Sequence, residues 1–293
     1  MNLFATVLQI VTPVFLLASI GYFWVKLGLE YRVEFVTKLA MTLSVPALVF
    51  VSLMEAEIEP AALSALSLAA FSAYALLAVI VSLVVRILRQ SSSVLSAPLI
   101  FGNTGNLGLP LALFAFGEVG LGYAIVVFAI MAVLSFSFGV WLVSGGGSLL
   151  KVMKEPMVGA TVLGALFLWQ GWQTPVFLTN TLSLIGQMAI PMMLITLGVA
   201  VARLSPDHLS KSFGYSVLKL ILCVGITWPV GRYFELEPVA FAVLVIQLAT
   251  PVAVTSYLLA EKYGSDSQTV AGMVVTSTLL SVLYLPLLLA VLL

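Results

Sequence analysis

The chain has 293 residues, of which 62% are hydrophobic and only 8% are Asp, Glu, Lys or Arg. Soluble domains run at about 45–50% apolar and about 25% charged, so too few polar groups remain here to cover the apolar surface in water, and a soluble globular protein is excluded. Twelve basic and twelve acidic side chains cancel, and Cys223 and His208 are the single cysteine and histidine, which argues against nucleic acid as a partner, internal disulfides, cysteine-based metal clusters and most histidine-dependent catalysis. No cofactor or metal is expected.

A helix crosses the hydrocarbon core with about 20 apolar residues, and charges and turn residues divide the chain into ten such stretches. The first, roughly residues 4–25, has neither a basic leader nor an Ala-x-Ala exit and reads as a retained helix. The second, roughly 34–54, carries Ser44-Val45-Pro46-Ala47, and the third, roughly 61–85, is uninterrupted. The fourth, roughly 94–116, is interrupted at Gly102-Asn103-Thr104-Gly105-Asn106-Leu107-Gly108-Leu109-Pro110; the fifth follows at roughly 119–141. The sixth, roughly 157–170, is short, closed by Gln170-Gly171-Trp172. The seventh, roughly 176–202, contains Ala189-Ile190-Pro191-Met192, and the eighth, roughly 213–233, holds Lys219. The ninth, roughly 238–260, is interrupted at Gln247-Leu248-Ala249-Thr250-Pro251-Val252-Ala253, and the tenth covers roughly 270–292. Trp24, Trp141, Trp169, Trp172 and Trp228 fall near stretch ends, as an interfacial aromatic belt requires.

Basic residues alternate between the loops. Lys26, Arg32, Lys38, Arg86, Arg89, Lys151, Lys154, Arg203, Lys211 and Lys262 follow the odd-numbered stretches. The other face has Arg232 alone, beside Glu55, Glu57, Glu59, Glu118, Glu235 and Glu237. This positive-inside bias places both termini outside the cytoplasm of a multi-pass inner (plasma) membrane protein. The longest polar connection, Ser144-Gly145-Gly146-Gly147-Ser148 followed by Lys151 and Lys154, falls mid-chain. It divides a first five-helix repeat (1–143) from a second (157–293) through a cytoplasmic linker (144–156). Five spans per half force the second half to enter the membrane inverted, the layout of many secondary transporters. Pro46 and Pro191 stand 145 residues apart, and Pro110 and Pro251 stand 141 apart. This shared offset of about half the chain is the repeat signal.

The interruptions carry the chemistry. Gly costs about 1 kcal/mol and Pro about 3 kcal/mol relative to Ala inside a helix, and freed backbone groups are tolerated at membrane depth only where protein or a water-filled cavity satisfies them. An unwound crossing with two half-helices therefore fits Gly102–Pro110 best, the alternative being a kinked helix whose small residues allow close packing. A half-helix N-terminus offers free N–H groups and partial positive charge to a carboxylate or other anion. The candidate substrate-binding residues are Asn103, Thr104, Gly105, Asn106, Gly108 and Pro110 from the fourth helix, and Gln247, Thr250, Pro251 and Val252 from the ninth, with Thr255 as a further polar group. Lys219, about 10 Å into the eighth helix at 1.5 Å per residue, completes the set. We expect it to snorkel to the cytoplasmic surface; in the functional alternative it neutralises an anionic substrate or pairs with a backbone carbonyl. No Asp or Glu lies deep in any stretch, so coupling through an intramembrane carboxylate is not expected. Export of an anion needs none, because each negative charge leaving a cell gains about 2.3 kcal/mol per 100 mV.

These segments together resemble the auxin efflux carrier family, including its bacterial malonate-type members. The resemblance rests on Gly102 to Leu111, on Ile190-Pro191-Met192 with Leu197-Gly198, and on Gln247 to Ala253 with Ala260-Glu261-Lys262-Tyr263-Gly264. Thr276-Ser277-Thr278-Leu279-Leu280-Ser281 and Pro286 extend it along essentially the whole chain. It implies an all-α fold of ten transmembrane helices in a five-plus-five inverted repeat, similar to that of bile-acid symporters. Helices one, two, six and seven would form a scaffold and a homodimer interface. Helices three to five and eight to ten would form a mobile transport domain, with helices four and nine broken and crossing. By position, Asn103 and Asn106 stand for the asparagine-bearing crossing, and Pro110 and Pro251 for the crossing prolines. The long central cytoplasmic loop of the plant carriers and their own crossing motif are not present here.

The resulting expectation is an efflux carrier for small organic anions, carboxylates such as auxin-like weak acids or malonate, working by an elevator-like alternation within lipid. A sodium-coupled organic-anion symporter of the bile-acid type is the alternative. A sensor without transport is the second, against which stands the lack of an appended soluble domain. An enzyme is not expected, for want of an intramembrane acid/base pair.

Overall fold

A computed structural model describes residues 3–55, 60–144, 156–203 and 209–293. Residues 145–155 of the central linker, with Lys151 and Lys154, the loop carboxylates Glu57 and Glu59, and His208 lie outside the described residues. Among the described residues all regular structure is helical, apart from one isolated antiparallel bridge between Gly102 and Val252.

The first half comprises α1 (Leu3–Lys26), α2 (Val33–Leu39), α3 (Val45–Met54), α4 (Pro60–Ile87), α5 (Ser92–Ile100), α6 (Leu109–Leu134) and α7 (Val140–Ser144). The second comprises α8 (Pro156–Gln170), α9 (Val176–Gln187), α10 (Ala189–Arg203), α11 (Leu209–Tyr233), α12 (Pro238–Ala249), α13 (Val254–Lys262) and α14 (Ser267–Leu292). Seven helical runs among the described residues are long and apolar enough to cross a bilayer: Val7–Lys26, Val33–Met54, Ala61–Ile87, Thr104–Leu134, Val176–Arg203, Lys211–Tyr233 and Ser267–Leu292. Gly159–Gln170 and Pro238–Ala249 are shorter apolar helices. This is a multi-pass membrane protein.

The prolines act locally as their chemistry requires. Pro46 brings no N–H and its ring crowds the carbonyl four residues back. The turn before it, Ala40–Ser44, widens accordingly into a π-helical turn that joins α2 to α3. Met188 interrupts the run from α9 to α10, and Pro191 then sits in the first turn of α10, where a missing N–H has no helical acceptor to lose. Within α6 the helical path breaks at Gly117, whose φ of 65° and ψ of −155° lie outside the helical region. The sequence divided its fourth and fifth stretches at this point.

The faces turned to lipid read directly from side-chain spacing. Leu279, Leu283, Leu287 and Val291 recur every four residues on α14 and are 59–69% exposed, an apolar stripe that only lipid or another apolar surface covers. Trp24, Trp141, Trp169 and Trp172 are also exposed.

Helices α1 and α10 pack backbone to backbone, where two glycines allow them to meet. A Cβ on Gly21 would run into the Ile195 carbonyl, and one on Gly198 into the Ala18 carbonyl. Backbone cannot step aside as a side chain can, so Gly198→Ala must push the helices apart. We expect destabilisation by about 1–3 kcal/mol, the usual range for overpacking. It would be seen as a lower melting temperature in detergent than Gly225→Ala, whose added Cβ meets nothing within 4 Å. Equal melting temperatures would refute this account of the contact. Beyond this contact, the loop after α1 is clasped to α10. The Tyr31 hydroxyl shares a 2.8 Å hydrogen bond with Thr196 Oγ1, and Arg203 Nη2 donates to the Tyr31 carbonyl at 2.5 Å. Burial raises the Tyr31 pKa, so this hydroxyl stays protonated at neutral pH.

Candidate functional site

The two interruptions read from the sequence meet each other. After α5, residues 101–103 run extended, followed by a π-helical turn, Thr104–Gly108, that leads into α6. After α12, residues 250–253 do the same before α13. The segments lie side by side: Gly102 bridges Val252, and the Asn103 N–H donates to the Pro251 carbonyl at 2.7 Å. Small residues are required for this approach. A Cβ on Gly102 would strike Thr250, and one on Gly108 would strike the Gln247 side-chain amide.

Two broken helices release backbone groups that must find partners within the protein. Several at the C-terminal ends of the half-helices have partners. Leu99, in the last turn of α5, accepts from Lys219 Nζ at 3.3 Å. At the end of α12, the Ala249 carbonyl accepts from the Tyr284 hydroxyl at 2.7 Å, and Gln247 O accepts from Thr250 Oγ1 at 2.6 Å. Across the second break the Val252 N–H donates to Ser277 Oγ at 3.0 Å.

The N-terminal ends face a cavity of about 220 Å³. The first is lined by Asn103, Gly105 and Asn106, the second by Ala253, Val254 and Thr255. Opposite them, Thr37 and Met41 of helix two and its π-helical turn, and Phe128 and Met131 of α6, close the walls. No lining residue is charged. The first N–H groups of a helix have no intrahelical acceptor, and the Asn103 side chain makes no capping bond to them. The cavity thus lies at two helix N-termini, whose dipoles are positive there, with no fixed charge among its lining residues to compete with a ligand. A larger cleft of about 570 Å³ lies near the other end of helix two, bounded by Glu55, Glu118, Gln187 and Pro191.

Not every residue singled out from the sequence lines the cavity. Asn103, Gly105, Asn106 and Thr255 do. Thr104, Gly108, Pro110, Gln247, Thr250, Pro251 and Val252 are buried outside its wall, and of these Gly108, Gln247, Thr250, Pro251 and Val252 make the contact between the two crossing segments. Among the described residues, Asn103 Nδ2, Thr104 Oγ1 and both amide atoms of Gln247 are buried without a hydrogen-bond partner; each such group leaves about 1–3 kcal/mol of desolvation uncompensated.

The expectation that Lys219 snorkels to the surface is overturned. The residue is 2% exposed, and beyond the Leu99 carbonyl its ammonium touches the Cys223 sulfur at 3.8 Å. Depth along a helix says how far a side chain lies from the interface, but not which face carries it, and Lys219 is on the face packed against α5. It is also absent from the cavity wall. Thr37, Met41, Phe128, Met131 and the Tyr284 cap went unread in the sequence because each sits in an ordinary apolar helix pattern and reaches the crossing only through tertiary packing.

A family model described as "Membrane transport protein" matches residues 6–148 and 140–289. An uncharacterised transporter of Methanocaldococcus jannaschii is 28% identical over 200 residues, 64% of this chain and 64% of the relative. A protein of Rhizobium meliloti named "Putative malonate transporter" is 24% identical over 201 residues, 62% of this chain and 61% of the relative. An uncharacterised transporter of Methanothermobacter thermautotrophicus is 28% identical over 194 residues, 63% of each chain. The chain therefore spans less than two thirds of the length of the curated relatives it matches.

Proposed function

The chain belongs to the membrane transport protein family, which bears out the resemblance to the auxin efflux carriers, and we propose that it carries small organic anions, carboxylates first among them, across the plasma membrane. The members it resembles are transporters and not enzymes. The observation that carries the substrate reading is the uncharged cavity of about 220 Å³ on which two half-helix N-termini converge. Such ends bind anions through backbone N–H groups and the helix dipole. The volume falls below the ~300–1,000 Å³ of drug-sized sites, which favours a solute of malonate size, in keeping with the name of the Rhizobium meliloti relative.

Ten spans account for the architecture if the breaks are counted as crossings. Helix four then runs from α5 to Gly117, helix five from Gly117 to α7, and helix nine through α12 and α13. In this reading α1, α2–α3, α8 and α9–α10 form the scaffold and a homodimer interface, and the remaining helices form the unit that moves. The 220 Å³ cavity, walled by Thr37 and Met41 early in helix two, and the 570 Å³ cleft beside Glu55 at its end are the two faces of an alternating path. The termini are outside, in line with the loop charges.

The test is a thermal-shift panel of mono- and dicarboxylates on the purified protein, with flux in proteoliposomes beside it. A ligand at 100 times its Kd stabilises by about 2.7 kcal/mol, and Asn103→Ala is expected to lose most of that stabilisation and most of the flux. Unchanged stabilisation would remove Asn103 from the site. Absence of flux for every carboxylate would sink the reading.

One observation favours a second reading, a sodium-coupled symporter. Gln247 Oε1 and Thr104 Oγ1 are buried oxygens with no protein partner, and sodium is held by neutral oxygens in carriers with broken helices. Replacement of sodium by choline separates the two: uncoupled carriage is indifferent to it.

A further inference from the structure

Lys219 is the one charged side chain in the buried set, and no carboxylate answers it among the described residues. The ion pair found among those residues is Arg32 with Glu30 at the surface, and the acidic residues of the sequence fall in loops or near helix ends. Its surroundings are Leu99 O at 3.3 Å and Cys223 Sγ at 3.8 Å, the latter one turn along the same helix. The Leu99 carbonyl belongs to the C-terminal end of a half-helix, where the dipole is negative and favours a cation. Satisfying a freed carbonyl does not require a charge. At the matching end of α12 the Tyr284 hydroxyl does the same for Ala249 at 2.7 Å. The two broken helices are capped alike, yet only one cap is cationic. An unpaired ionisable group at membrane depth is expensive to keep and points to a functional role.

Asn103 on the cavity wall is four steps along the chain from Leu99, so the chain between them reaches at most about 14 Å. A unit charge at ~17 Å, through an effective dielectric constant of about 20, changes the binding of a monoanion by about fivefold. That is a useful effect in a cavity whose own walls are uncharged.

We propose that Lys219 is a fixed counter-charge carried behind the crossing, offsetting the charge of a bound organic anion without touching it and seated against Leu99 at the end of α5. This rests on the carboxylate reading of the cavity. As a residue that acts from outside the cavity, it sets affinity by ligand charge and leaves ligand shape to the walls. A structural cap would instead affect all ligands alike.

The experiment measures binding of propionate, a monoanion, and malonate, a dianion at pH 8, to the purified full chain. It compares wild type with Lys219→Gln, Lys219→Met and Lys219→Arg. Gln keeps a donor for the Leu99 carbonyl and loses the charge; Met loses both; Arg keeps the charge. We expect Gln and Met to weaken propionate about fivefold and malonate about 25-fold, because the interaction doubles with ligand charge, and Arg to stay within about threefold of wild type for both. An equal loss for the two ligands, no loss in Gln, or a loss in Arg as large as in Met overturns the proposal. These outcomes differ from failure of the underlying reading, in which wild type itself neither binds nor carries either carboxylate and the proposal falls with it.

Discussion

Gly102→Val is expected to abolish carboxylate flux in proteoliposomes and to lower the melting temperature of the purified protein. The effect follows from how the two broken helices touch. An added Cβ at residue 102 would overlap Thr250 Oγ1 and stand 3.0 Å from the Thr250 carbonyl, which is backbone and cannot rotate away. The hydroxyl has little freedom either, since it donates to Gln247 O at 2.6 Å. Separating the segments stretches the Asn103 N–H to Pro251 O bond of 2.7 Å and the bridge from Gly102 to Val252. In a water-poor interior those groups find no replacement, so each lost bond costs about 1–3 kcal/mol, on top of about 1–3 kcal/mol of overpacking. Gly102→Ala should be milder, with flux down about tenfold. Combining it with Thr250→Ser, which removes a methyl and keeps the donor, should give little rescue, whereas Thr250→Gly, which removes the obstructing hydroxyl, should give more. If Gly102→Val transported like wild type, the close crossing would not be needed for function.

Much of this crossing was legible in the sequence because glycine, asparagine and proline betray a helix that cannot continue. Gly102 to Pro110 covers all but the first residue of the break at 101–108, and Gln247 to Ala253 contains the extended segment at 250–253. Pro46 and Pro191 likewise mark the bends at Ala40–Ser44 and Met188, and Gly117 marks the sharp turn in α6. These are local constraints on φ, ψ and hydrogen bonding, and local constraints are written locally. What the residues touch was not. Gln247 and Thr250 read as polar groups for a ligand, yet they meet Gly108 and Gly102, and the cavity is lined instead by Phe128 and Met131, one turn apart in an unremarked apolar helix. Membrane helices lose the usual guide to facing, because an apolar side chain suits lipid and protein interior equally well. Lys219 shows the same limit from the other side: its depth was readable, its burial against Leu99 was not.

The same geometry makes Gly105 the position at which binding and folding should separate. Gly105 lies in the first turn after the break, with its Cα facing the cavity and the Phe128 ring; a Cβ there would sit 3.0 Å and 3.2 Å from two ring carbons. Its backbone is helical, with none of the positive φ found at Gly117. A side chain is therefore compatible with the main chain, and Ala gains up to about 1 kcal/mol of helix propensity over Gly. That gain offsets much of the squeeze against an aromatic ring that can tilt, so Gly105→Ala should melt near the wild-type temperature without ligand. Binding should suffer far more. The added methyl intrudes on a cavity of only about 220 Å³ and screens the N–H groups of Thr104 to Asn106 from an anion, which we expect to weaken malonate by about 10- to 100-fold, or 1.4–2.8 kcal/mol. Phe128→Leu in the same chain would return space to the wall and should restore part of the affinity, a coupling of about 0.5–3 kcal/mol of the kind contacting residues show. Full affinity in Gly105→Ala would mean that the ligand sits elsewhere, the cleft bounded by Glu55 and Glu118 being then the next place to probe. Loss of affinity with rescue by Phe128→Leu would put the anion against the helix end, because both residues line that cavity.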